Sequence, residues 1–167
     1  MQIIVVSNSP SKRIEYFIEA GKHLQTEVRF MTYGELFNCL PQLRQAVIKL
    51  EPCVSDETNF LKYALLNQAY KETLQRLGEM RLSDDVCFLN TPHALLRALD
   101  KKETKQVLMD RGSKVTPMLP SPRSFDELRE LLADCGRGCF LKPRYGSGAG
   151  GIMAVRYQPT RNKWVVY

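Results

Sequence analysis

The sequence predicts an α/β chain that opens with a parallel-sheet domain and closes with an α+β subdomain built around a glycine-loop hairpin. Three observations carry this. A β-branched run, an amphipathic stretch and a second apolar run fall within the first 31 residues, the pattern of a βαβ unit. Prolines at 117, 120 and 122 change the punctuation of the chain. Beyond them, a loop with four glycines between 146 and 151 separates two further apolar runs.

Taken in order, Ile3 to Val6 reads as a buried parallel strand. Ser7 to Ser11 is turn-rich and offers helix N-caps. Ile14, Phe17 and Ile18 recur at helical spacing, with Gly21 as the stop. Glu27 to Met31 is the second strand. Tyr33 to Leu50 is expected to be mostly helical, broken at Pro41. Ser55, Asp56 and Glu57 start a further helix, with Phe60, Leu61, Ala64, Leu65 and Ala69 as its apolar stripe. Val86 to Leu89 is expected as the third strand, with Cys87 as a small core residue.

Thr91 is placed to N-cap a helix with Pro92 in its first turn, where proline's missing N–H costs nothing. This segment runs, with a break near Asp100, to Gly112. Ser124 and Glu127 have the spacing of a capping box, opening a helix to about Ala133. Cys139 to Lys142 and Ile152 to Tyr157 are strands flanking the glycine loop. Thr160 to Lys163 forms a turn, and Trp164 to Tyr167 pairs back as a hairpin. The expected domains are 1–90 and 91–167.

At 44% hydrophobic and 25% charged, the 167 residues can bury a core, which excludes general disorder. No run of 18 apolar residues is present, so no membrane span is expected, and the first residues lack the features of a signal peptide. The formal charge of +6 is uneven: residues 1–89 hold 10 Lys and Arg against 11 Asp and Glu, whereas residues 90–167 hold 14 against 7. The last acid is Asp134. A basic second part suits a partner that carries phosphates. Five cysteines without a CxxC pair, and with Cys135 and Cys139 far in sequence from His23 and His93, argue against a zinc site. Reduced thiols and a cytoplasmic location are expected.

The informative stretch is Phe140 to Ile152. Glycines let the backbone approach a ligand closely, and consecutive N–H groups form a nest for anionic oxygens. Lys142 would place an ammonium beside the same phosphates. A Walker A loop needs Lys-Ser/Thr after its last glycine and then a helix; here Ile152 to Val155 is strand-like. Gly146, Gly148 and Gly151 meet the dinucleotide spacing formally, but that fingerprint also needs a helix to follow.

A glycine-rich loop between antiparallel strands, preceded by Lys142 and Pro143, resembles the ATP-grasp superfamily. Asn90, Pro92, Asp100, Lys101 and Lys105 look like that family's Asn-x-Pro…Asp-Lys-x-x-x-Lys entry, and Gly112 to Pro117 looks like its strand start. The likeness covers residues 90–167 by motif; residues 1–89 match only in general form, as the Rossmann-like domain that precedes the grasp. It implies that Lys105 and Lys142 contact ATP phosphates, and that Gly146, Ser147, Gly148, Ala149, Gly150 and Gly151 fold over them. It places Asp100 and Lys101 in the helix that supports this subdomain, with stabilisation of a helix start as the plainer alternative for Asp100; Lys101 is expected to be solvated, and Arg144 and Tyr145 to lie on the surface.

The resemblance also implies a ligase chemistry, in which ATP converts a small carboxylate into an acylphosphate for attack by an amine or similar nucleophile. Magnesium would bridge the phosphates, with its ligands in a second grasp subdomain outside this chain. The chain is thus expected to be the first part of such a ligase, inactive alone, with ATP and a carboxylate as partners and a homo-oligomer compatible with the pattern. A non-catalytic nucleotide-binding scaffold and a nucleic-acid-binding module are the alternatives; against the latter, no aromatic run interleaves the basic residues.

Overall fold

The computed structural model describes residues 1–53, 59–136, 138–146 and 151–167. The chain divides into two compact units, Met1–Leu99 and Asp100–Tyr167. The first is a parallel α/β unit. Its strands are β1 (Gln2–Ser7), β2 (Val28–Thr32), β3 (Ala46–Leu50) and β4 (Val86–Phe88). They pair in the order β2-β1-β3-β4, all parallel, with Val5 opposite Phe30 on one side and Lys49 on the other.

The helices are α1 (Lys12–His23), α2 (Tyr33–Cys39), α3 (Phe60–Glu79) and α4 (Pro92–Leu99), with a 3-10 turn at Leu40–Gln42. Parallel strands need cover on both faces. On one face Ile4, Val6, Ile48 and Leu50 join Tyr33, Leu36 and Leu40 and the α3 residues Tyr70, Leu74 and Leu77 in one buried cluster. Alternation along the strand turns Val5 and Ser7 to the opposite face, where α1 packs and Ile14 is buried. Leu95, Leu96 and Leu99 of α4 pack against the first cluster, so α4 belongs to this unit.

Local chemistry sets the helix starts. Ser11 caps α1 by accepting from the Ile14 N–H, and Thr32 and Glu35 form a reciprocal capping box on α2. Thr91 accepts from the Ala94 N–H at 3.2 Å and caps α4.

Five expectations for this unit are corrected. Gly21 lies inside α1; a Cβ there would collide with the Val28 side chain, so it lets α1 approach β2 closely. Tyr33 to Leu50 is helical only through Gln42, since Ala46–Leu50 is a central strand. Val86–Phe88 is accordingly the fourth strand, and Cys87 is exposed. Of the stripe expected on α3, Leu61 and Leu65 face outward, 68% and 61% exposed. Asn59 caps α3 through the Leu61 and Lys62 N–H groups, whereas Ser55, Asp56 and Glu57 lie outside the described residues.

The second unit contains α5 (Lys101–Asp110), α6 (Phe125–Cys135) and the antiparallel strands β5 (Cys139–Leu141), β6 (Met153–Gln158) and β7 (Lys163–Val166), in that spatial order. The break near Asp100 is the start of α5, and Gly112, at φ 76°, follows its end. Ser124 caps α6 through the Glu127 N–H, but the Glu127 carboxylate accepts from the Arg123 N–H, so the box is shifted by one residue on that side. Gly136 ends α6 in the left-handed conformation, which glycine adopts without a Cβ penalty. Leu128 and Leu132 pack on Val155, with Cys139, Leu141, Tyr157 and Trp164 around them. The segment from Gly112 to Pro122 contains no strand, contrary to the expected strand start. Prolines 117, 120 and 122 donate no N–H to a ladder. Among the described residues no helix is long and apolar enough to cross a membrane.

Candidate functional site

The site is built where α5 begins and β5 ends. Asp100, only 4% exposed, is the N-cap of α5; its Oδ1 accepts from the Lys102 and Glu103 N–H groups at 3.0 and 3.1 Å. The guanidinium of Arg144, just beyond β5, grips the same carboxylate: Nε donates to Oδ1 and Oδ2 at 3.0 and 2.9 Å, and Nη2 to Oδ2 at 2.7 Å. The backbone joins the same place, with the Lys101 N–H donating to the Arg144 carbonyl at 3.0 Å. A two-point grip of this kind fixes both distance and orientation.

This arrangement brings Lys101 to the base of the glycine loop. Its ammonium donates to the Gly146 carbonyl at 2.8 Å. Gly146 is buried at φ 123°, a conformation that favours glycine. Partial burial pulls the Lys101 pKa below its ordinary value, and the charge of Lys142 adds to that, with Asp100 opposing. Lys101 and Lys142 therefore sit close enough to feel each other's charge. Lys142 is exposed, with its ammonium 5.8 Å from the centre of the Phe140 ring. Hydrogen bonds from Arg144, reinforced by those of the helix N–H groups and opposed by burial, hold the Asp100 carboxyl down at about 2.

Of the residues singled out from the sequence, the structure places Lys142 and Gly146 at this base and Gly151, at φ 70°, at the far end of the loop. Ser147, Gly148, Ala149 and Gly150 lie outside the described residues. Lys105 is half-buried on α5, four residues from Lys101 and so on the same helix face. The expectation of a solvated Lys101 is corrected by its bond to Gly146. Arg144 is 55% exposed by its side chain, yet it is bound to Asp100 rather than standing free. The break at Asp100 was the local signal for the cap; the partner 44 residues away has no local signature.

Chemically, the cluster sets Lys101 and Lys142 at the start of a glycine loop, with the Asp100 carboxylate engaged by Arg144. Such a set can receive an anion. It does not suit a divalent cation, because Asp100 is committed and Lys101 and Lys142 would repel the metal. Among the described residues no three His, Cys, Asp or Glu side chains gather in a group that could hold a metal ion. No protein-family model matches the chain, and no curated protein matches it.

Proposed function

We propose that residues 100–151 form the cationic side of an ATP-grasp-type nucleotide site, in a protein that activates a carboxylate as an acylphosphate for attack by an amine or similar nucleophile. The observation that carries this reading is the Lys101 ammonium held on the Gly146 carbonyl where the glycine loop begins, with exposed Lys142 four residues before that glycine. Two cations and a run of backbone N–H donors are what a triphosphate needs, since phosphoryl transfer depends mainly on positioning and charge neutralisation. ATP, when bound, would supply the phosphoryl group. Lys101 and Lys142 would hold its phosphates, Lys105 would add charge one turn along α5, and the loop from Gly146 to Gly151 would fold over them. The magnesium that accompanies ATP would be held by carboxylates other than Asp100.

The test is titration of the chain with a fluorescent ATP analogue. Lys142→Ala and Lys101→Ala should each weaken binding by roughly tenfold or more, the loss of a charge-assisted contact to phosphate. Lys105→Ala should cost less. Unchanged affinity in both Lys101 and Lys142 variants would refute the site.

One observation favours a second reading, binding of single-stranded nucleic acid. Phe140 and Tyr167 both stand beside Ala154 on the sheet face opposite the α6 core, 69% and 85% exposed, and the same face carries Arg156. Exposed rings with nearby cations can stack bases. Oligonucleotide binding that falls steeply with salt and is indifferent to ATP would select this reading.

A further inference from the structure

We infer that the crevice at the carboxyl ends of β1 and β3 is a binding site for a small carboxylate, received by the guanidinium of Arg13 beside the buried Glu51–Lys49 pair. The inference is independent of the nucleotide reading.

The topology locates the crevice. With the order β2-β1-β3-β4, the chain leaves β1 toward β2 on one side and then returns past β1 to β3 on the other. The connections after β1 and β3 leave toward opposite sides of the sheet, and the carboxyl ends of two such strands are the place where open parallel sheets receive ligands. Strand β1 ends in Ser7, wholly buried, whose hydroxyl reaches the Pro52 carbonyl at 3.4 Å. The residue after β3 is Glu51, tied into the sheet by its N–H to the Val6 carbonyl at 2.8 Å and only 4% exposed.

The chemistry names the ligand class. The Glu51 carboxylate meets the Lys49 ammonium and, at 2.7 Å, Nη2 of Arg13. A carboxylate taken out of water is costly, and an ion pair seldom recovers more than that cost. Its presence at the sheet's opening therefore calls for more than stability. Among the described residues two cations, Arg13 and Lys49, face the one anion Glu51, an excess of one positive charge. Lys49 is largely covered, its ammonium 5.5 Å from the centre of the Phe17 ring. Arg13 is 68% exposed, and one edge of its guanidinium holds Glu51. With Nη2 on Glu51 and the side chain 68% exposed, the guanidinium has further donors, and a planar fork of this kind matches a carboxylate. Asn8, Ser9 and Ser11 bring further polar groups to the adjoining loop. A single excess charge suits a carboxylate better than a doubly charged phosphate.

The test is backbone-amide NMR of the whole chain titrated with acetate, succinate and L-glutamate, against chloride at matched ionic strength and inorganic phosphate. At least one carboxylate should move the amides of residues 7–13 and 51–53 to saturation. Arg13→Gln, at an exposed position that leaves the Glu51–Lys49 pair in place, should weaken that response by roughly tenfold or more. Arg13→Lys, which keeps the charge and loses the fork, should fall between. Shifts no different from chloride, or an unaltered response in Arg13→Gln, would overturn the inference. Saturable phosphate binding tighter than every carboxylate would overturn the ligand class. The amides of residues 100–146, followed with ATP in the same samples, report the nucleotide reading separately.

Discussion

Among the described residues, thirteen buried side chains form one cluster between a parallel sheet and its helices in the first unit, whereas in the second Leu128, Leu132 and Val155 are buried together. The contrast follows from strand direction. A parallel sheet must be covered on both faces, so its polar groups are pushed to the strand ends, where Ser7 and Glu51 lie. An antiparallel sheet can leave one face open, and here Phe140 and Lys142 stand outside the α6 core. The second unit therefore spends fewer residues on packing and keeps more backbone and charge available to a ligand. Its fixed points are polar: Asp100, Arg144 and the Lys101–Gly146 bond substitute for some of the missing core.

The largest effect is expected where packing is thinnest. Leu132 is fully buried, and Leu132→Ala should cost roughly 2–5 kcal/mol, a large share of what so small a core supplies. Trp164, the single tryptophan, lies in that core and reports its unfolding by fluorescence. The denaturant midpoint of the Trp164 signal should fall, while native-state hydrogen exchange at Ile4 and Ile48 stays unchanged. Equal acceleration of exchange in both units would erase the contrast between them. Next comes Gly21→Ala in the first unit. The added methyl meets the Val28 side chain and, at 3.0 Å, the Thr26 carbonyl, so overpacking should cost roughly 1–3 kcal/mol. Exchange at β1 should then accelerate, with the Trp164 transition in place. A neutral Gly21→Ala would mean that α1 can slide on β2.

What was legible in the sequence was local. Strand β1, the α4 cap at Thr91, the start of α5 at Asp100, helix α6 and the β6–β7 hairpin all carry their signals within a few residues. Strand β3 was hidden because its entry turn is made by Gln45 at φ 48°, where a glycine would have marked it. The α3 stripe misled because Leu61 and Leu65 are conspicuous yet exposed, while the buried set Tyr70, Leu74 and Leu77 lies in the second half of the helix. Gly21 looked like a stop because a glycine needed for close approach and one needed for a cap read alike. At the candidate site, the glycine loop and Lys142 were visible, whereas Lys101 and Arg144 became informative only once folding joined them to Gly146 and Asp100.

The smallest effect belongs to that joint, and it is a matter of pH. Hydrogen bonds from Arg144 come first among the causes that hold the Asp100 carboxyl at about 2, below its ordinary 3.8. A carboxyl depressed in the folded state adds stability above its unfolded pKa, and that stability is lost as pH falls through the folded value. The window here runs from about pH 4 down to about pH 2. Because Arg144 is half-exposed, solvent screens the pair and its worth at neutral pH is modest. Arg144→Gln should raise the Asp100 carboxyl pKa, read by carbon NMR. The rise should stop short of the ordinary value, since the Lys102 and Glu103 N–H groups still donate to it. Thermal midpoints of the second unit in wild type and variant should differ at pH 6 and draw together as pH falls through about 2, below which the carboxyl is protonated in both. A constant difference across that range would show that Arg144 acts through packing rather than charge. The rigid cap that sets Lys101 beside Lys142 would then have to be sought in the Lys101–Arg144 backbone bond instead.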